Sequence, residues 1–160
     1  MSYKTYSPKP VKDKINESRL ASVLNQKNIP ILYRCDIKGS PLYVKLPYTS
    51  DNMFWLRNGA KREPKWNRHF EWWETPKSWF NDLVSRSLHQ YDRIYVIQPY
   101  KEQEKCSPAC RNASGHKCSC SCMGAHHGSK NAENNWFVVS ETFASRWSDL
   151  KIACRLICKT

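Results

Sequence analysis

No apolar run in this 160-residue chain approaches the roughly 18 residues that a membrane span needs, so the sequence predicts no transmembrane helix and no membrane partner. The opening stretch, MSYKTYSPKPVKDK, has no apolar segment of the kind that marks a secretory signal. The expectation is a cytoplasmic protein whose thiols stay reduced. A glycine-rich phosphate loop is absent, as is a Ser/His/Asp arrangement in a supporting context, and carboxylates do not cluster as a metal nuclease would want. These absences make an enzyme the less favoured class. No internal repeat is present, and the length suits one domain. Acidic residues are scarce too: 14 Asp and Glu face 26 Lys and Arg, for a formal net charge of +12. Such a balance favours polyanionic partners and says nothing about fold. Residues 1–70 hold 14 of the basic residues and only 5 of the acidic ones, so the basic character lies mainly in the first half.

One segment stands out against these absences. Cys106–His127 holds five of the eight cysteines and three of the five histidines in 22 residues, spaced C-x3-C-x7-C-x-C-x-C-x3-H-H. A packed core has no use for that composition. Thiolate and imidazole are the donors tetrahedral zinc prefers, and converging ligands can fold a loop that has little core of its own. The candidate metal ligands are Cys106, Cys110, Cys118, Cys120, Cys122 and His127, with His116 and His126 as further donors. The best single set is Cys106, Cys110, Cys122 and His127. Cys118 and Cys120 then serve a second zinc or replace members of the first set. Plentiful ligands with no implied open position point to a structural zinc.

The remaining pattern predicts an α+β fold: a single domain over residues 14–160 after a disordered arm at 1–13, with an antiparallel or mixed sheet. One major helix is expected at about 75–91, where Thr75-Pro76 reads as its start and Trp79, Phe80, Leu83, Val84, Leu88 and Tyr91 recur at helical spacing. A short helix is expected within Lys14–Lys27, and another over Asp51–Asn58 capped by Ser50 and stopped at Gly59. Ile31–Asp36 and Leu42–Leu46 read as a hairpin, the first strand burying one face through Tyr33, Cys35 and Ile37. Arg93–Tyr100 reads as a central strand and Trp136–Val139 as another. Leu150–Lys159 alternates as a strand does, although a polar helical stripe is also present. The zinc loop, 106–128, is inserted between two strands.

A second pattern lies in Tyr43–Pro76. Arg57, Lys61, Arg62, Lys65 and Arg68 crowd one segment opposed by Glu63, and Trp55, Trp66, Trp72 and Trp73 are interleaved with them. Basic side chains neutralise phosphates and exposed rings stack on bases, so Arg57, Lys61, Arg62, Lys65, Arg68 and Trp72 are the candidate contacts to DNA or RNA. Trp66 and Trp73 are expected in the core, since spaced tryptophan pairs anchor small hairpins. The order of features (Tyr43-Val44-Lys45-Leu46-Pro47-Tyr48, then Gly59-Ala60-Lys61, then two spaced tryptophans) resembles a small domain that accompanies mobile-element primases, helicases and topoisomerases. It is more distantly similar to the strand-annealing domain of annealing helicases. Extra residues between Trp66 and Trp73 lengthen the turn relative to that pattern. Cys106–Gly128 is in turn similar to Cys/His modules of phage and mobile-element proteins, for which no activity is implied.

These features predict a small zinc-stabilised nucleic-acid-binding protein of phage or mobile-element origin. One alternative is an interaction protein that inhibits a host protein of nucleic-acid metabolism, its basic face docking in that protein's nucleic-acid channel. A second is a zinc enzyme acting on nucleic acid, nuclease- or deaminase-like. In the deaminase version His69 and Glu71 would join Cys106 and Cys110, although such enzymes place His-x-Glu at a helix start.

Overall fold

The computed structural model describes residues 15–101, 107–117, 125, 127–147 and 150–160. Residues 1–13, expected as a disordered arm, lie outside that set. The described residues build one mixed seven-stranded sheet with helices on both faces. Its strands are β1 (Ile31–Tyr33), β2 (Leu42–Lys45), β3 (Lys65–Asn67), β4 (Trp72–Thr75), β5 (Arg93–Pro99), β6 (Phe137–Trp147) and β7 (Leu150–Lys159), in the spatial order β3-β4-β2-β1-β5-β7-β6. Every pairing is antiparallel except β1 with β5. This matches the expected α+β class. Among the described residues no helix is long and apolar enough to cross a membrane.

Two helices of near-equal length, not one major helix, flank the sheet. The first, α1 (Ile15–Asn25), presents Leu20, Val23 and Leu24 to Ile31, Tyr33, Tyr43, Trp72, Ile97 and Cys154 on one face. On the other face α3 (Phe80–Tyr91) buries Phe80, Leu83, Val84 and Leu88 against Leu32, Val44, Ile94, Val96 and Ile157. That spacing of three and four residues puts one apolar stripe on the sheet, and each fully buried large side chain contributes about 1.5–3 kcal/mol. With both faces covered, interior β1 buries Ile31, Leu32 and Tyr33 alike, so the expected one-sided strand is not found. The strand also ends at Tyr33. Ile37, expected inside, is 44% exposed because the chain turns at Ile37–Ser40, where Ser40 N–H donates to the Ile37 carbonyl. Cys35 is a core thiol, 2.8 Å from Ser40 Oγ.

Thr75 does not cap α3. Its backbone is engaged in the β2–β4 ladder opposite Leu42, and its hydroxyl donates to the Leu42 carbonyl at 3.4 Å. Pro76 is extended, with ψ 138°, and a 3-10 turn at Lys77–Trp79 intervenes before the helix starts. The short helix α2 (Asn52–Arg57) follows Asp51 rather than Ser50, and stops where Asn58 and then Gly59 turn left-handed. Leu150–Lys159 resolves as a strand, hydrogen-bonded to β5 on one side and β6 on the other. The Cys/His segment falls between β5 and β6.

Candidate metal centre and basic face

Within the Cys/His segment, Ser107 caps the single turn α4 (Pro108–Arg111): its hydroxyl accepts from Cys110 N–H at 3.3 Å, and Pro108 fits the first helical position. Two backbone bonds then tie this turn to the far end of the segment. Gly128 N–H donates to the Cys110 carbonyl and Lys130 N–H to the Arg111 carbonyl, each at 2.7 Å. Asparagines complete the closure. Asn131 Nδ2 donates to the Asn112 carbonyl at 3.1 Å, and Asn134 Nδ2 donates to the carbonyls of Ala113 and Gly128 at 2.9 and 3.1 Å. Gly128 sits at φ +68°, and a Cβ there would lie 2.8 Å from the Ala113 oxygen, so only glycine fits.

This closure brings two of the expected ligands together. Cys110 Sγ lies 3.5 Å from His127 Nδ1. His127 Nε2 lies 2.7 Å from the Gly115 carbonyl, an acceptor only, so Nε2 carries the proton and Nδ1 turns its lone pair toward the sulfur. Zn–S of about 2.3 Å and Zn–N of about 2.0–2.1 Å at a tetrahedral angle put ligand sulfur and nitrogen about 3.5 Å apart. A backbone carbonyl on the distal ring nitrogen is also the usual partner of a metal-binding histidine. The pair therefore suits one edge of a zinc tetrahedron. Cys106, Cys118, Cys120, Cys122 and His126 lie outside the described residues, and among the described residues no group of three donors is assembled.

His116 is buried beside this pair. Its ring packs 5.0 Å from that of Phe137, and its backbone N–H donates to Asn81 Oδ1 of α3 at 2.9 Å. Burial, reinforced by the Arg155 guanidinium and His127, pushes His116 down to about 3. Burial and Arg155 lower His127 too, against the opposing effect of its bond to Gly115. Both imidazoles are thus held neutral, the form that binds metal. The role of Asn81 and Arg155 was not legible in the sequence, since both come from elements remote from the Cys/His spacing.

The basic segment occupies the opposite edge of the sheet. Trp66 and Trp73 pair across β3 and β4 with ring centroids 5.2 Å apart, which fixes the register despite the long turn. Lys61, Arg62, Lys65 and Arg68 are exposed. Arg57 is folded back: its Nε donates to the Ala60 carbonyl at 2.7 Å and its guanidinium reaches Glu63 at 3.3 Å. Trp72 is no stacking platform. It is 2% exposed, edge-on to Tyr43 in the core, because it shares the α1-covered face of the sheet with Tyr43. The accessible rings of this segment are Trp66, expected in the core but 50% exposed because it lies on edge strand β3, and two not proposed as base contacts from the sequence, Tyr48 (90%) and Phe54 (82%). Tyr48 lies in the turn before α2, and Phe54 sits within α2 on the side away from buried Asn52 and Leu56. Arg86 of α3 braces α2 by donating to the Trp55 and Leu56 carbonyls, with its guanidinium 4.7 Å over the Trp55 ring.

His69 and Glu71 lie in the β3–β4 turn, where Glu71 has φ +57° and its N–H donates to the Asn67 carbonyl. They are not at a helix start. Strands β2, β1 and β5 separate their hairpin from β7, whose Arg155 neighbours the histidines of the Cys/His segment. Comparison with protein-family models, with curated proteins and with solved structures finds no match for this chain.

Proposed function

We propose that this chain is a small, zinc-stabilised nucleic-acid-binding protein of phage or mobile-element type, working in the cytoplasm, with zinc as a structural staple. The observation that carries the nucleic-acid reading is the conjunction of exposed Lys61, Arg62, Lys65 and Arg68 with the exposed rings of Tyr48, Phe54 and Trp66 on the segment that joins β2 to β4. Cations neutralise phosphate and release counterions, while solvent-facing rings offer flat surfaces to bases. The zinc reading is supported by the Cys110–His127 pair, with the remaining ligands to be drawn from Cys106, Cys118, Cys120 and Cys122. Bound there, zinc would supply cross-linking of the segment to itself, with no reaction routed through it.

Binding to single-stranded DNA, duplex DNA and RNA, measured across a salt series, tests the first part. The expected result is an affinity that falls steeply with salt, by about 0.7–0.9 log units per log unit of salt for each phosphate neutralised. Absence of binding at low salt, or a flat salt dependence, refutes it.

A further inference from the structure

A groove of about 580 Å3 opens beside the β3–β4 hairpin, walled by Trp66 and Trp73, Tyr48, Lys45, Lys27 and Glu71. Its volume lies within the range of small-molecule sites, about 300–1,000 Å3. Its walls are held by their own hydrogen bonds. Gln26 closes the turn that carries Lys27, its Oε1 accepting from Asn28 and Ile29 N–H and its Nε2 donating to the Ile29 carbonyl. Asn52, buried, holds the turn that carries Tyr48, donating to the Pro47 carbonyl and accepting from the Thr49 hydroxyl. Trp66 leans edge-on against Trp73, which fixes its ring while leaving half of it exposed.

The charges in the groove are unbalanced. Lys45 is half-buried with its ammonium 4.8 Å over the Trp72 ring, and Lys27 stands close enough to repel it. Burial pulls Lys45 below its ordinary value, Glu71 works the other way, and Lys27 adds to the lowering. Two ammonium groups and one carboxylate thus line one space. An anionic group seated there would relieve their repulsion, and the adjacent rings offer it an aromatic companion. A nucleotide combines those two features. In a duplex both faces of each base are covered by its stacked neighbours, so only an unpaired base can lay its face on Trp66 or Tyr48.

We infer that this groove seats an unpaired base of a single nucleic-acid strand, stacked on Trp66 and Tyr48 with its phosphate at Lys27 and Lys45, an assignment that rests on the nucleic-acid reading above. Single strands are then preferred to duplex, and the preference resides in this groove rather than in the exposed basic residues.

The test compares wild type with Tyr48→Ala and Trp66→Leu. Removing Tyr48, a solvent-facing ring, leaves the fold intact, and leucine at 66 keeps an apolar contact with Trp73. A short single strand containing 2-aminopurine reports both affinity and stacking, because stacking quenches its fluorescence. Each variant is expected to bind this strand about 5- to 150-fold more weakly, from the usual worth of one base–ring stack, with the quenching reduced. Duplex binding should stay within about twofold. Equal losses on single strand and duplex, or unchanged single-strand binding in both variants, overturn the assignment while leaving nucleic-acid binding itself standing. A free mononucleotide that competes as well as the strand overturns the strand as the source of the base. Wild-type protein that binds neither form at low salt refutes this assignment and the broader proposal together.

Discussion

Replacing Gly128 with alanine should loosen the Cys/His segment more than the same change at Gly115, where an added Cβ comes no closer than 3.1 Å to Asn81. Three separate costs converge there. The backbone sits at φ +68°, a left-handed conformation that costs an L-residue about 1–2 kcal/mol. The added Cβ would stand 2.5 Å from Asn134 Nδ2 and 2.8 Å from the Ala113 carbonyl oxygen, so both contacts must open. If Asn134 yields, it surrenders its bonds to Ala113 and Gly128, each worth about 0.5–1.5 kcal/mol net. Together these come to about 2–5 kcal/mol, and for a chain of this size about 2–4 °C accompanies each kcal/mol. Thermal unfolding followed by circular dichroism should therefore show a melting temperature lower by about 4–20 °C. Zinc affinity, measured by competition with a chelating dye, should weaken in parallel, because Gly128 N–H holds the Cys110 carbonyl beside His127. Asparagine at 128 separates the causes. It tolerates positive φ but carries the same Cβ, so it should rescue only the smaller part of the loss. A Gly128→Ala protein that melts like wild type, or full rescue by asparagine, would refute the crowding argument.

Trp72→Ala should cost about 3–5 kcal/mol in urea denaturation, as a core ring does, whereas its effect on nucleic-acid affinity should vanish once folded protein is compared. Replacing Lys61, Arg62, Lys65 and Arg68 by alanine should lower the salt slope of binding by about 0.7–0.9 for every phosphate no longer neutralised, while each changes stability by less than about 0.5 kcal/mol. Elemental analysis should find at least one zinc per chain, and chelation should lower the melting temperature; fully folded, metal-free protein rules the staple out. Alkaline pH should destabilise the core. Burial, aided by the Cys35 thiol and Glu74, pushes the Tyr43 phenol up to about 12 from its ordinary 10.0. The folded state then keeps a proton that the unfolded chain gives up, so the Tyr43 contribution, about 3 kcal/mol, is full below pH 10 and is lost as pH rises through 12. Burial also raises the Cys154 thiol, so the fall begins near the ordinary thiol value of 9.0. Denaturant titrations at rising pH check this, and Tyr43→Phe should remove the Tyr43 contribution while leaving that of the Cys154 thiol.

Local pattern made most of the elements legible. The stripe Phe80, Leu83, Val84, Leu88 marks α3 because it reflects one buried face, and the alternation of Ile152, Cys154 and Leu156 marks β7, although Ala153, Arg155 and Ile157 on its other face are buried too. The order of the strands was out of reach: β1 lies beside β5, and β7 enters between β5 and β6, through contacts that no window of sequence contains. The same limit governs the tryptophans. Which member of the Trp72-Trp73 pair is core depends on what α1 covers, so the ring assigned to bases proved to be packing and its neighbour partly exposed. At the candidate metal centre the donor types and spacing were readable. The groups that hold and tune them were not, because Asn81, which accepts from His116 N–H, and Arg155, whose charge lowers both imidazoles, arrive from α3 and β7.

The place of β7 inside the sheet also has a consequence during synthesis. The far edge of β5 waits for a partner that begins at Leu150, roughly fifty residues after β5 ends at Pro99. At about 5–20 residues per second, a ribosome leaves that apolar edge open for about 3–10 seconds. The Cys/His segment emerges wholly within this interval. Its folding therefore falls in the window when the half-made sheet is most exposed to other nascent chains.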